Sequence, residues 1–82
     1  MTMNDSIMER LADVITDHFS CPEKTIGRST NANDIVGWDS LAHTMVLMRV
    51  EDVFAIELPM EHAFTVLNVG ELADLVQAQL SA

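Results

Sequence analysis

Gly37-Trp38-Asp39-Ser40-Leu41-Ala42-His43-Thr44-Met45-Val46-Leu47 is the stretch that decides how this chain folds. A glycine turn gives way within a few residues to an apolar run with helical spacing. Asp39 and Ser40 stand at the changeover, where helices favour short polar side chains as N-caps. A serine at this point keeps its hydroxyl outside the core. Free backbone N–H groups and the helix dipole there favour an anion. Two readings of Ser40 are open on these residues: a plain cap, a duty Asp39 could equally perform, or the anchor of an anionic group.

Downstream, residues 40–55 read as the second helix of the chain. Val46, Val50, Val53 and Phe54 form its expected buried ridge, with Leu47 beside it, while Leu41, Thr44 and Met48 fall on a more exposed side. Upstream, Ile7, Leu11, Val14, Ile15 and His18 mark one face of a first helix over 5–19. Asp5, Glu9, Asp13 and Asp17 line its opposite, solvated side. Asn4, Asp5 or Ser6 can cap it, and Ser6 with Glu9 has capping-box spacing. Residues 20–38 are crowded with turn formers and predict a long loop, anchored by Ile26, Ile35, Val36 and Trp38, with room for a one-turn helix. Pro59 restarts the chain for a short helix over 60–66, turning Ala63, Phe64 or Val66 inward. Asn68 and Glu71 cap the last helix, whose inner face is Val69, Leu72, Leu75, Val76 and Leu80. No segment alternates long enough for a strand. The expected fold is all-α: three main helices and one short helix in a single domain, 1–82.

Composition bounds the function. Thirteen acids against four Lys and Arg give a net charge of −9 over 82 residues, which argues against nucleic acid or an anionic membrane as partner and for basic protein surfaces. No apolar run is long enough to span a membrane, and the first residues lack a basic, apolar leader. Cys21 is the only cysteine, so no internal disulfide forms, and a reducing, cytoplasmic setting fits. Asn31, Asn33 and Asp34 hint at a calcium loop, but Val36 and Ala42 stand where such a loop needs glycine and glutamate. His18, His43 and His62 read as packing or capping residues and Cys21 as an incidental loop cysteine, so no metal is expected. Ser40 and His43, one turn apart, lack an orienting third group and an oxyanion hole for nucleophilic catalysis.

Asp39-Ser40-Leu41 opening a long helix in a small acidic helical protein resembles the prosthetic-group site of the acyl carrier protein family. The resemblance spans nearly the whole chain. Leu41, Met48, Glu51, Phe54 and Pro59 stand at offsets from Ser40 where carriers commonly have the same residues. Val69-Gly70-Glu71-Leu72 is similar to the opening of the family's last helix. The resemblance implies a non-catalytic, freestanding carrier, expected to be a monomer. Ser40 would hold a 4'-phosphopantetheine arm taken from coenzyme A, Asp39 would lie beside the attachment chemistry, and the arm's thiol would shuttle acyl thioesters between enzymes of a fatty acid, polyketide or related specialised pathway. Its partners would be a phosphopantetheinyl transferase and acyl-loading and acyl-processing enzymes, met through Leu41, Thr44, Met48, Glu51 and Asp52. Ala42 and Met45 replace acids that carriers of primary fatty acid synthesis usually have, and Arg49 adds a base. These departures point to a specialised pathway. The competing class is an acidic interaction module of the same fold without the arm.

Overall fold

Burial follows the apolar period of the first helix closely. In the computed structural model, which describes residues 3–20 and 26–81, α1 spans Met3–Phe19. Ile7, Leu11, Val14 and Ile15 form its buried stripe. Each such side chain contributes about 1.5–3 kcal/mol by leaving water. The helix begins earlier than its polar residues suggest, so Ser6 lies within it rather than capping it. His18 is half-buried and sets its ring edge-on to Phe19. Ser20, at φ 55°, takes the left-handed conformation that stops the helix.

The long loop is held at several points. Asn31 and Asp34 form a capping box around a 3-10 turn, Ala32–Asp34. Ile35 is buried, and Ile26 and Trp38 pack against the core. Val36, expected as an anchor, is 97% exposed. It sits at the tip of a turn that the Trp38 N–H closes on the Ile35 carbonyl at 3.4 Å, so its side chain meets solvent. The loop's other tether is the start of α4 (Val69–Ser81). There the N–H groups of Val69 and Gly70 donate to the carbonyls of Thr30 and Arg28, each at 2.8 Å. Two of the helix's otherwise orphaned donors are thereby satisfied. Arg28 adds an ion pair with Asp74 at 3.0 Å. Cys21 lies outside the described residues.

Helix α2, Ser40–Phe54, buries Val46, Leu47, Val50 and Phe54. Val53 does not join them; it is 39% exposed, because it sits at the edge of the arc those four residues define. Its carbonyl instead accepts from Arg10 at 2.7 Å, and the Arg10 guanidinium lies 4.4 Å from the centre of the Phe54 ring. Helix α3 is a single turn, Met60–Ala63, shorter than its apolar run suggested. Ala63 is buried and Val66 packs on the core, whereas Phe64 is half exposed. In α4, Asn68 accepts from the Glu71 N–H at 2.9 Å, as its spacing predicted, and Val69, Leu72, Ala73 and Val76 face inward. Glu71 reaches back to the Leu67 N–H at 3.3 Å. Helix α1 packs against both α2 and α4, making an all-helical bundle with no strand among the described residues.

Candidate functional site

The start of α2 is built by a turn only glycine adopts comfortably. Gly37 has φ +91°, and the Asp39 N–H folds back onto its carbonyl at 3.0 Å. Asp39 is then extended, at φ −104° and ψ −173°, with its carboxylate accepting from the Ala42 N–H at 2.9 Å. That geometry settles the division of labour at the helix start. Asp39 is the cap and Ser40 is the first helical residue. Ser40 is exposed, and its hydroxyl has no hydrogen-bond partner among the described residues. Its carbonyl accepts from the Thr44 hydroxyl at 3.0 Å. A free hydroxyl on the first turn of a helix is reachable from solvent and placed where the helix dipole favours an attached phosphate.

A row of rings supports this corner. Phe19 stacks on Trp38 with centroids 5.1 Å apart, Trp38 lies 5.9 Å from His43, and His43 meets Phe64 at 5.8 Å. The Trp38 indole N–H donates to Nδ1 of His43 at 3.0 Å. With Nδ1 accepting, the ring proton sits on Nε2, which donates to the Ala63 carbonyl at 3.0 Å. His43 therefore ties the loop, α2 and the end of α3 together. Nothing in its sequence position signalled that role, because both partners arrive through tertiary folding.

Beside Ser40 the loop, α2, the segment after α3 and the start of α4 border a half-open cavity of about 300 Å³. Trp38, Phe64, Val66 and Leu67 give it apolar walls, while Asn31 and Asn68 give it polar ones. The free hydroxyl at its edge, the helix N-terminus and the adjoining mostly apolar space fit a phosphodiester-linked arm.

On the outer side of α2, Leu41, Met45 and Met48 are 71%, 47% and 57% exposed. They recur at helical spacing and form one apolar strip leading away from Ser40. Met45 extends the face expected from Leu41 and Met48. Thr44 is half-buried, with its hydroxyl committed to Ser40. Asp52 is exposed, but Glu51 is half-buried and its carboxylate accepts from the Leu58 N–H at 2.8 Å. Glu51 thus holds the turn into α3 rather than standing free. Arg49 pairs with Asp17 of α1 at 2.8 Å.

Known proteins share this chain's sequence pattern and fold. A family model described as the phosphopantetheine attachment site matches residues 9–76. The acyl carrier protein of Clostridium acetobutylicum is 31% identical over 88% of this chain and 94% of its own length. That of Phenylobacterium zucineum is 30% identical over 93% of this chain and 96% of its own. The solution NMR structure of holo acyl carrier protein from Geobacter metallireducens superimposes with a TM-score of 0.78 at 31% identity. It covers 99% of this chain and 88% of that one. The chain belongs to the acyl carrier protein family. It carries a covalently attached phosphopantetheine and works with biosynthetic enzymes as an acyl carrier. No helix among the described residues is long and apolar enough to cross a membrane.

Proposed function

We propose that Ser40 is the residue to which the arm is attached, and that the chain is a non-catalytic, monomeric carrier serving a specialised biosynthetic pathway in the cytoplasm. The observation that carries the assignment is the division of roles at the head of α2. Asp39 takes the cap, so the Ser40 hydroxyl is left exposed and without structural duty. When bound, the arm supplies a thiol that holds acyl groups as thioesters. The protein's own part is to present that arm on a rigid helix end. His43 supports the non-catalytic reading, since both ring nitrogens are committed to Trp38 and Ala63 and neither is left to activate Ser40. A phosphopantetheinyl transferase would add the arm from coenzyme A. Partner enzymes would then dock on the strip of Leu41, Met45 and Met48, with Thr44 and Asp52 at its margins. With no acid in the first turn of α2, that contact rests more on shape and apolar burial than on charge. Net charge −9 disfavours nucleic acid as a further partner.

The test is direct. Incubation of the apo-protein with coenzyme A, magnesium and a broad-specificity transferase should add one phosphopantetheine mass to the peptide containing Ser40. Ser40→Ala should abolish the gain. Mass appearing on another residue, or none with several transferases, sinks the assignment.

A further inference from the structure

We propose that the cavity beside Ser40 is a resting site for the neutral part of the arm itself, with the side-chain amides of Asn31 and Asn68 as its hydrogen-bond donors. This rests on Ser40 as the attachment residue. Both asparagines have one end already fixed. Asn31 Oδ1 accepts from the Asn33 N–H at 2.8 Å, and Asn68 Oδ1 accepts from the Glu71 N–H at 2.9 Å. A backbone N–H can only donate, so neither amide can be turned round without losing its cap. The NH2 group is therefore the uncommitted end of each, and neither has a partner among the described residues. Both residues are half-buried and line the cavity that Ser40 also lines.

The rest of the lining selects what those donors receive. No Lys or Arg borders the cavity, and Asp39 stands at its edge, so an anionic group is not held inside. The phosphate belongs outside, at the helix N-terminus. Beyond the phosphate, the arm offers a gem-dimethyl group and two amides. That chemistry matches apolar walls of Trp38, Phe64 and Leu67 with amide donors set among them. Phe64 and Leu67 are 48% and 75% exposed, a large apolar surface left uncovered within the protein. The volume, about 300 Å³, lies at the low end for small-molecule pockets. Affinity need not be high. A group tethered at the rim has an effective concentration of roughly millimolar, so a contact of ~1 mM is about half occupied.

Isotope-labelled holo-protein tests this by NMR, after mass spectrometry has located the arm on Ser40. We expect NOEs from the geminal methyl protons of the arm to the Trp38 and Phe64 rings and the Leu67 methyls. The side-chain NH2 signals of Asn31 and Asn68 should shift between apo and holo forms. Asn31→Asp with Asn68→Asp keeps both capping oxygens and removes both NH2 groups. It should abolish those NOEs with helical content unchanged. Leu67→Ala, at an exposed position, should weaken them. An arm located on Ser40 but showing no such NOEs overturns the resting site, and NOEs that survive the double variant overturn the role of the amides. A protein that takes no arm at Ser40 fails the attachment assignment, and this inference falls with it.

Discussion

Gly70 lies so close to Arg28 that a β-carbon built on it would stand 2.9 Å from the Arg28 carbonyl oxygen. The same carbonyl accepts the Gly70 N–H at 2.8 Å, so the loop and the first turn of α4 are locked backbone to backbone. Alanine is the better helix former by about 1 kcal/mol, and on propensity alone Gly70→Ala should stabilise. The contact is with backbone, which has little freedom to retreat. Gly70→Ala is expected to destabilise by about 1–3 kcal/mol in urea unfolding. A variant more stable than the parent would mean the loop yields.

Asp39 and Ser40 should separate in the same assay. Asp39→Ala removes a cap on the Ala42 N–H and should cost about 0.5–2 kcal/mol. Ser40→Ala removes a hydroxyl with no partner and should stay within about 0.5 kcal/mol of the parent. The reverse order would assign the cap to the serine.

Removing the imidazole of His43 strands two groups at once, the Trp38 indole N–H and the Ala63 carbonyl. Both are partly buried, and a buried polar group left unpaired costs about 1–3 kcal/mol. His43→Ala should lower stability by at least that much and change the emission of Trp38, the chain's single tryptophan. Unchanged fluorescence would break the proposed latch.

Ala55 ends α2 in the left-handed region, at φ 55° and ψ 49°. A Cβ is unwelcome there, and glycine is the usual occupant. Ala55→Gly should therefore raise the stability by about 0.5–1 kcal/mol, seen as a higher melting temperature.

Docking should be more sensitive to Met48 than to the acids of α2. Met48→Ala should weaken binding to a cognate partner by about 1–2 kcal/mol, with a shallow salt dependence. Ala42→Asp with Met45→Glu should shift the chain towards enzymes of primary fatty acid synthesis. If the parent already supports fatty acid elongation as well as a housekeeping carrier, the specialised-pathway proposal is wrong.

What the sequence disclosed, and what it withheld, divides along physical lines. The stripes of Ile7, Leu11 and Ile15 and of Val46 and Val50 are legible because one period repeats over several turns. Asn68 with Glu71 and Asp39 with Ser40 are legible because capping is local chemistry. Val53 is misplaced because an apolar residue at the margin of a helix face is buried only if something covers it, and Val36 because it falls at the tip of a turn. The short helix proved harder still, since a single turn has too few residues to show a period, and Phe64 turned to His43 instead of the core. The cavity is assembled from Asn31, Trp38, Leu67 and Asn68, which only folding brings together.

The cap at Asp39 has one more consequence. Because the Ser40 hydroxyl holds no hydrogen bond among the described residues, a group attached there displaces nothing from the fold, and any change in stability comes from the added group's own contacts and its charge at the helix N-terminus. An enzyme that fits or strips a group there does not have to loosen the helix first. With Ser40 as the proposed attachment residue, the bundle can go through rounds of modification and release without giving up a contact of its own.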